Sequence, residues 1–304
     1  MSRLFLLFVA SVIGFLFIST AQAEVRVLTS IKPLQLIAAA VQEGIAVPEV
    51  LLPPGASPHN YALRPSDVRR VKDVDLLYWI GPDMETFLPR VLAGRTLPSI
   101  PVQSLPGMHL RYFTAGAAHD DGDEDDHDHR PGSLDAHLWL SSVNARVIAA
   151  KMAVDLSTAD PANAARYQSN VKAFDERLDA TDAKIKARVA GITDKKYFVF
   201  HEAFDYFEEA YGLEHAGVFT VSSEVQPGAQ HVAQMRKRLA AFGKTCVFSE
   251  PPLRPRLAET LSAGLPVKLA ELDGLGGYTP ATAQGYELLL QKLGDDLAGC
   301  LESL

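Results

Sequence analysis

Three histidines and an aspartate are the residues of this chain best placed to do chemistry. His59, His201 and Asp273 lie at or just after the carboxyl ends of predicted β-strands. Ligands of open α/β sheets bind at this end of the strands, so we expect these side chains to face one cleft. His137 comes just before a helix predicted to begin near Ser142. Three imidazoles and one oxygen ligand satisfy tetrahedral zinc, and the pattern therefore predicts a metal site.

A second group of candidate ligands lies in a strongly acidic segment. Residues 120–129 comprise six aspartates, one glutamate, one glycine and two histidines, His127 and His129, and His119 precedes them. No core could bury so much charge, so we expect a solvated, irregular loop over about 115–133. Such a loop is either a solubilising segment or a weak divalent-cation site. His215 and His231 are candidates to join it in an auxiliary metal site, and ordinary surface histidines are the alternative.

The first residues have the pattern of a secretion signal. Arg3 precedes an apolar run over 4–18, and residues 21–23 (Ala-Gln-Ala) fit the rule for cleavage. A membrane span needs about 20 apolar residues, so we expect cleavage after about Ala23 rather than a retained anchor. The mature chain would have 281 residues (304 − 23), and loss of Arg3 would change the formal charge from −8 to −9. This balance argues against nucleic acid as a partner and suits the attraction of cations.

The chain has two cysteines, Cys246 and Cys300. An even pair in an exported protein favours one disulfide, here between a strand and the C-terminal helix. Two separate buried thiols are the alternative. Neither cysteine belongs to a Cys-x-x-Cys motif, so the sequence does not support ligation of a metal by thiolates.

Short β-rich segments alternate with helical patterns, which is typical of α/β proteins. The predicted strands cover 25–30, 47–52, 75–80, 197–200, 217–221, 245–249 and 267–272. The predicted helices cover 34–43, 66–71 with Ser66 as its cap, 82–91, 203–211, 227–242, a segment from 254, and 281–300. We therefore predict two βα lobes with a metal cleft between them.

The longest helical pattern separates these two groups of elements. Asp160 and Pro161 read as an N-cap followed by proline at the first helical position, and the pattern ends at Gly191. About 29 residues at 1.5 Å each give a rod of about 43 Å, which would join the lobes as a single rigid backbone helix. The predicted divisions are a signal peptide at 1–23, an N-terminal lobe at 24–158, a linking helix at 159–191 and a C-terminal lobe at 192–304.

Several longer motifs resemble one known family. They are residues 55–67 (GASPHNYALRPSD), 137–141 (HLWLS), 199–204 (VFHEAF), 225–230 (VQPGAQ), 246–251 (CVFSEP) and 272–273 (LD). Together with the acidic insertion before His137, they are similar to the ZnuA family of periplasmic zinc-binding proteins, which are metal-binding solute receptors of ABC importers. The resemblance covers essentially the whole mature chain.

The resemblance implies a set of zinc ligands. His59, His137 and His201 fall on the family's three histidine ligands, and manganese receptors tend to have glutamate where His201 stands. Some zinc members carry a glutamate just before the first histidine, where this chain has Pro58. Asp273, which matches an aspartate of the family's C-terminal lobe, or a water molecule would then be the fourth ligand, and we favour Asp273.

The resemblance also implies partners and a cross-link. The protein would be a periplasmic monomer that captures zinc and delivers it to the inner-membrane permease of an ABC importer. Cys246 and Cys300 fall on the disulfide positions of the family.

Two other functions could use the same residues. A manganese or iron receptor of the same family would need a site richer in oxygen. A secreted zinc hydrolase would use the three histidines with Glu202 or Glu250 as a base, but the sequence lacks His-Glu-x-x-His and Gly-x-Ser-x-Gly motifs. We therefore predict a binding protein and not an enzyme. Glu250 is also a candidate to accept the second N–H of a ligand histidine, whereas Glu202 is expected to face solvent.

Overall fold

Two four-stranded parallel β-sheets form the framework of the protein. The structure is a computed structural model, and it describes residues 24–113, 132–220, 229–251 and 256–304. The predicted signal peptide and the histidines at positions 119, 127 and 129 lie outside the described residues. Within them, no helix is both long enough and apolar enough to cross a membrane.

The first sheet has the strand order β2-β1-β3-β4, with every neighbouring pair parallel. Its strands are β1 (Val27–Thr29), β2 (Glu49–Val50), β3 (Leu76–Trp79) and β4 (Ser99–Pro101). Its helices are α1 (Lys32–Val41), α2 (Pro65–Asp73) and the short α3 (Pro89–Leu92). Both β1 and β3 are buried throughout, as expected of strands covered on both faces.

The second sheet repeats this arrangement with the order β6-β5-β7-β8, again all parallel. Its strands are β5 (Phe198–His201), β6 (Gly217–Thr220), β7 (Thr245–Ser249) and β8 (Val267–Glu271). Its helices are α6 (Asp205–Tyr211), α7 (Ala229–Phe242) and α8 (Arg256–Ser262). The prediction of two parallel α/β lobes is confirmed.

A long helix joins the two sheets, as predicted. It is α5 (Ala164–Val189), whose 26 residues span about 39 Å, and α4 (Ser142–Ala159) packs beside it. Near the start of α5, Asn170 donates from its side-chain amide to the carbonyl oxygen of Val41 (2.9 Å) at the end of α1. Further along, the carboxylate of Asp182 accepts a hydrogen bond from Tyr211 (2.6 Å) of α6. The helix is therefore fixed to both lobes by side chains as well as by its ends.

The C-terminal helix also reaches across to the first lobe. It is α9 (Gly285–Glu302), which packs on α5 and on α1 as well as on β7 and β8. Its residue Glu287 is buried and pairs with Arg177 of α5 (2.6 Å). The sequence patterns did not indicate this contact, because periodicity shows that a helix has an apolar face but not which surface that face meets.

The disulfide between Cys246 and Cys300 is present, with a Cα–Cα distance of 6.3 Å. It joins β7 to the end of α9, as predicted. The other end of α9 lies against the first lobe, so this cross-link fixes one end of a helix that contacts both lobes.

The helix predicted over 82–91 is wrong in all but its last turn. The carboxylate of Glu85 is buried and accepts hydrogen bonds from the N–H groups of Ile80 (3.2 Å) and Gly81 (2.9 Å), so the chain forms turns here. Burial raises the pKa of Glu85 to about 7. The helix begins only at Pro89. Proline is tolerated at this first position because the N–H that it lacks would have no partner within the helix.

Smaller corrections concern helix starts and one strand. Arg64, not Ser66, is the N-cap of α2, and its backbone N–H donates to the carboxylate of Asp67 (2.9 Å). Asp160 bonds the side chains of Asn163 and Tyr167 instead of capping, and a 3₁₀ turn precedes α5. Strand β4 was not predicted, since its three residues carry no alternation and include a proline.

The contact between α9 and the first lobe can be tested with two glycines of α9. A Cβ atom at Gly285 would lie 2.6 Å from the carbonyl oxygen of Pro280 and 2.8 Å from Leu36, whereas one at the exposed Gly299 would meet nothing within 4 Å. We expect Gly285→Ala to lower the free energy of unfolding by about 1–3 kcal/mol, because the helix must move away from α1. Gly299→Ala should raise it by about 0.5–1 kcal/mol through helix propensity. Urea unfolding of both variants is the measurement, and equal shifts in one direction would contradict the packing.

Candidate metal centre

Three histidine side chains from separate parts of the fold lie in mutual contact at the carboxyl edges of the two sheets. Their ring centroids are 5.3 Å apart for His59 and His137, 5.3 Å for His59 and His201, and 5.0 Å for His137 and His201. One nitrogen from each ring falls in a group whose members are all within 4.8 Å of one another. His137 and His201 are each 3% exposed, and His59 is half-buried. The cluster thus lies in a cleft that excludes most water.

The spacing of two of the ring nitrogens fits a tetrahedral metal ion. The Nε2 atoms of His59 and His137 are 3.3 Å apart. Two imidazole nitrogens bound to one zinc ion at 2.0–2.1 Å with tetrahedral angles would be about 3.3 Å apart. The separation of these two nitrogens therefore matches the one that a shared ion would require.

Two carboxylates fix the orientation of the other ring nitrogens. The Nδ1 atom of His137 lies 2.9 Å from Asp135, and the Nδ1 atom of His201 lies 3.1 Å from Glu250. Ligand histidines usually donate their second N–H to a carboxylate in this way, which fixes the tautomer and leaves Nε2 to bind the metal. The contact suggested for Glu250 is thus present. Asp135 was not predicted, although a carboxylate two residues before a candidate ligand was a usable signal.

Asp135 is fully buried beneath the cluster. Burial raises the pKa of Asp135 well above its usual range, and the charge of Asp205 raises it further, while the backbone N–H of His137 opposes the shift. That N–H donates to the same oxygen of Asp135 at 3.0 Å. Asp135 therefore holds both the backbone and the ring of His137.

Hydrogen bonds from the second lobe hold the segment that carries His137. The indole N–H of Trp139 donates to the carbonyl oxygen of Gly274 (2.8 Å), and Tyr286 of α9 donates to the carbonyl oxygen of Trp139 (2.6 Å). Tyr206 of α6 donates to the carbonyl oxygen of Asp135 (3.0 Å). These contacts are buried, so the position of His137 depends on both halves of the molecule.

The structure does not place Asp273 in the group of three histidines. Its carboxylate accepts hydrogen bonds from the backbone N–H groups of Gly276 (2.7 Å) and Gly277 (2.9 Å) in the loop after β8. Burial raises the pKa of Asp273, and these backbone bonds oppose the shift. Gly277 lies beside Pro54 and Gly55 of the loop that leads to His59. In this arrangement Asp273 shapes a loop that borders the cleft.

The structure contains a second group of possible ligands. Glu202, Asp205 and His215 each offer one ligand atom, all within 4.8 Å of one another. Glu202 is 6% exposed, so the expectation that it faces solvent is wrong: it directly follows β5 and turns inward. His215 is bonded by Glu208 (2.8 Å) and is half-buried.

The charges of this second group act on one another. Burial would lower the pKa of His215, but its hydrogen bond and charge interaction with Glu208, together with the charges of Asp205 and Glu202, raise it to about 9. Burial and the charge of Glu208 raise the pKa of Asp205 to about 6. His215 is thus a protonated, positively charged ring at neutral pH.

The structure does not describe the side chains of the other predicted auxiliary ligands. His231 lies in α7, and the structure describes nothing of its side chain. His119, His127 and His129 lie outside the described residues. An auxiliary site made by the acidic segment with His215 and His231 therefore stays a prediction.

Comparison with known proteins gives consistent similarities. Residues 27–300 match the model of the family described as zinc-uptake complex component A, periplasmic. The chain is 38% identical to the high-affinity zinc uptake system protein ZnuA of Yersinia pestis over 295 residues, covering 92% of each chain. It is 34% identical to the protein of the same name from Brucella abortus over 332 aligned positions, covering 99% of each chain.

Solved structures share the fold. The periplasmic zinc-binding protein TroA of Treponema pallidum superposes with a TM-score of 0.75 at 19% identity, over 91% of this chain and 99% of that chain. FpvC of Pseudomonas aeruginosa, in complex with Mn²⁺, gives a TM-score of 0.76 at 24% identity, over 92% and 99%. At such identities the likeness concerns the fold.

The charge on His215 predicts a dependence of stability on pH. Its pKa of about 9 in the folded protein exceeds the ordinary value of 6.5, so its contribution is fully present below pH 6.5 and is lost as pH rises through 9. We expect the parent protein to lose about 3 kcal/mol of its stability relative to His215→Gln between pH 6 and pH 10. The measurement is urea unfolding of both proteins across this range with a chelator present. A difference in stability that is constant from pH 6 to pH 10 would contradict a charged His215, and His109→Gln serves as an exposed-histidine control.

Proposed function

Because this chain belongs to the family of periplasmic zinc-uptake complex components A, we propose that it captures Zn²⁺ with His59, His137 and His201 and delivers the ion to an ABC permease of the inner membrane. The observation that supports these ligands best is the 3.3 Å separation of the two Nε2 atoms of His59 and His137, together with the contact of both rings with His201. Zinc is the cargo of the protein and not a resident cofactor.

The donor set favours zinc over the other divalent cations. Three imidazole nitrogens suit zinc, whereas manganese prefers carboxylate, carbonyl and water oxygens. Burial of two of the rings removes competing water, and the two carboxylates behind them increase the basicity of the ligand nitrogens. A manganese or iron receptor remains the nearest alternative, because a protein of the same fold has been solved with Mn²⁺.

The fourth ligand is either Asp273 or a water molecule. Asp273 follows β8 at the cleft edge of the second sheet and is the sequence-based choice. To bind the ion, its carboxylate would have to exchange at least one of its bonds to Gly276 and Gly277 for a bond to zinc. A water molecule would complete a tetrahedral shell without this exchange.

The remaining proposals concern the surroundings of the site. Export with cleavage after about Ala23 would place the mature chain in the periplasm, where a monomer would meet the permease. The acidic segment around His127 and His129 would add weaker zinc-binding capacity. A zinc hydrolase would need a base beside the ion, and Glu250 is already bonded to His201. We therefore propose capture and delivery rather than hydrolysis.

Removal of one proposed ligand should abolish tight binding. We expect the mature protein to bind one equivalent of zinc tightly and His59→Ala to bind it more weakly by at least about 100-fold, because the shell loses one of its three nitrogen ligands. Competition with a chromogenic chelator is the measurement. His109→Ala is the matched control, since that ring is about half exposed and pairs with Glu209. Equal loss in both variants, or in neither, would contradict the proposed site.

The two choices for the fourth ligand differ in what Asp273→Asn does. If the carboxylate binds zinc, the variant should lose at least about 100-fold in affinity at pH 7, because a neutral amide is a poor zinc ligand. A change of less than about threefold would show that water is the fourth ligand and that Asp273 acts on its loop alone. The same chelator competition measures both, with thermal unfolding to confirm that the variant is folded.

A further inference from the structure

The second group of ligand-type side chains shares no residue with the three histidines, although Glu202 directly follows His201. Glu202 directly follows β5, Asp205 is the first residue of α6, and His215 lies between α6 and β6. The auxiliary site predicted for His215 with the acidic segment stays a prediction, and among the described residues His215 lies with two carboxylates. One imidazole nitrogen and two carboxylate oxygens within 4.8 Å are a set that borderline divalent cations accept.

This region holds more negative charge than its positive groups can balance. Glu208 adds a third buried carboxylate, engaged by His215 and by Tyr197 (2.7 Å). On the other side, Arg111 approaches Asp205 (3.8 Å) and also pairs with the exposed Glu209. Buried carboxylates repel one another strongly in a medium of low polarity, which is why the pKa of Asp205 is raised to about 6 by burial and by Glu208. A divalent cation would remove this repulsion.

Two buried carboxylate oxygens strengthen the case. Among the described residues, neither Oδ2 of Asp205 nor Oδ2 of Asp135 has a hydrogen-bond partner. Asp135 is 1% exposed, and of the surrounding charges that of Asp205 acts on it most strongly. Buried polar atoms normally have partners, so each such atom indicates a missing proton, water or ion. Asp135 belongs to a different segment of the chain from Glu202, Asp205 and His215, and its other oxygen holds the ring of His137.

We propose that Glu202, Asp205 and His215 form a second, weaker site for a divalent cation of the zinc type. The Nδ1 atom of His215 stays bonded to Glu208, so the ring would bind the ion through Nε2, as ligand histidines with a carboxylate behind them do. Glu202 and Asp205 supply the two oxygens. This inference goes beyond the proposed function, since capture by His59, His137 and His201 does not require it.

Competition with a proton makes this second site weaker than the first. The ion must displace a proton from His215, whose pKa is raised to about 9 by Glu208, Asp205 and Glu202 against the effect of burial. At pH 7 that competition weakens binding about 50-fold relative to pH 9, where half of the rings have lost the proton. Occupancy of the second site should therefore rise with pH and release a proton on binding.

The test is isothermal titration of the full mature protein with zinc chloride at pH 7 and pH 8.5. The parent should show a weaker event after the tight equivalent, strengthening about tenfold or more at the higher pH. Asp205→Asn should weaken this event at least tenfold. Glu209→Gln is the matched control, because it also removes a partner of Arg111 but lies outside the cluster. All three proteins keep the acidic segment, so its contribution is common to them.

Each outcome decides the proposal. Loss of the weaker event in Asp205→Asn and its retention in Glu209→Gln would support the site. Equal titrations of the two variants would overturn it and assign the weaker event to other groups. Asp205→Asn removes a source of repulsion, so we expect it to unfold at no lower temperature than the parent. As a direct check, crystals grown with excess zinc at pH 8.5 should show anomalous density among Glu202, Asp205 and His215, and density at the three histidines alone would refute the site.

Discussion

Close packing of three imidazole rings is the constraint on which the rest of this structure depends. The rings of His59, His137 and His201 come from distant parts of the chain, and free side chains would gain entropy by separating. The fold opposes this by fixing two of the three rings from behind. Asp135 holds the Nδ1 atom of His137, and Glu250 holds the Nδ1 atom of His201. Within each sheet the strands are parallel, so their carboxyl ends lie at one edge of that sheet. The helices hold the two sheets at a fixed distance from each other. In this way the fold brings three nitrogens that are far apart in the sequence into one small volume.

Local chemistry predicted much of this structure, and long-range packing accounts for what it missed. Alternation of strand and helix patterns gave the two parallel lobes, and the position of His201 at a strand end indicated the cleft. The prediction of a helix from Pro82 was wrong because of Glu85. Glutamate is common in helices, but here its buried carboxylate accepts hydrogen bonds from two backbone N–H groups. Glu202 was also misplaced: it is buried, and the burial of a residue that follows a strand depends on packing that its own segment does not specify. The spacing of ring nitrogens could not be read from sequence, since it depends on how two lobes meet.

Carboxylates in this protein have three different tasks that composition alone cannot separate. Asp135 orients a ring, Asp273 organises backbone N–H groups beside the cleft, and Glu208 stabilises a charged imidazole. All are buried or half-buried, and each is balanced by a specific donor. The acidic net charge of the chain therefore has two parts. One part is exposed and attracts cations from a distance, and the other lies inside and sets the geometry and protonation of histidines.

The double connection made by α5 and α9 has a consequence for how fast cargo leaves. Rotation of one sheet against the other would have to shear two packed helices at once, and the cross-link at Cys300 holds the far end of one of them. Wide opening by thermal motion is then a rare event, so a bound ion would exchange with solvent slowly even when its equilibrium affinity allowed release. The loops that carry His59 and follow Asp273 belong to none of the helices and border the cleft. A membrane partner that displaced these loops would speed the release of the ion. It would lower the kinetic barrier to dissociation without moving the two helices.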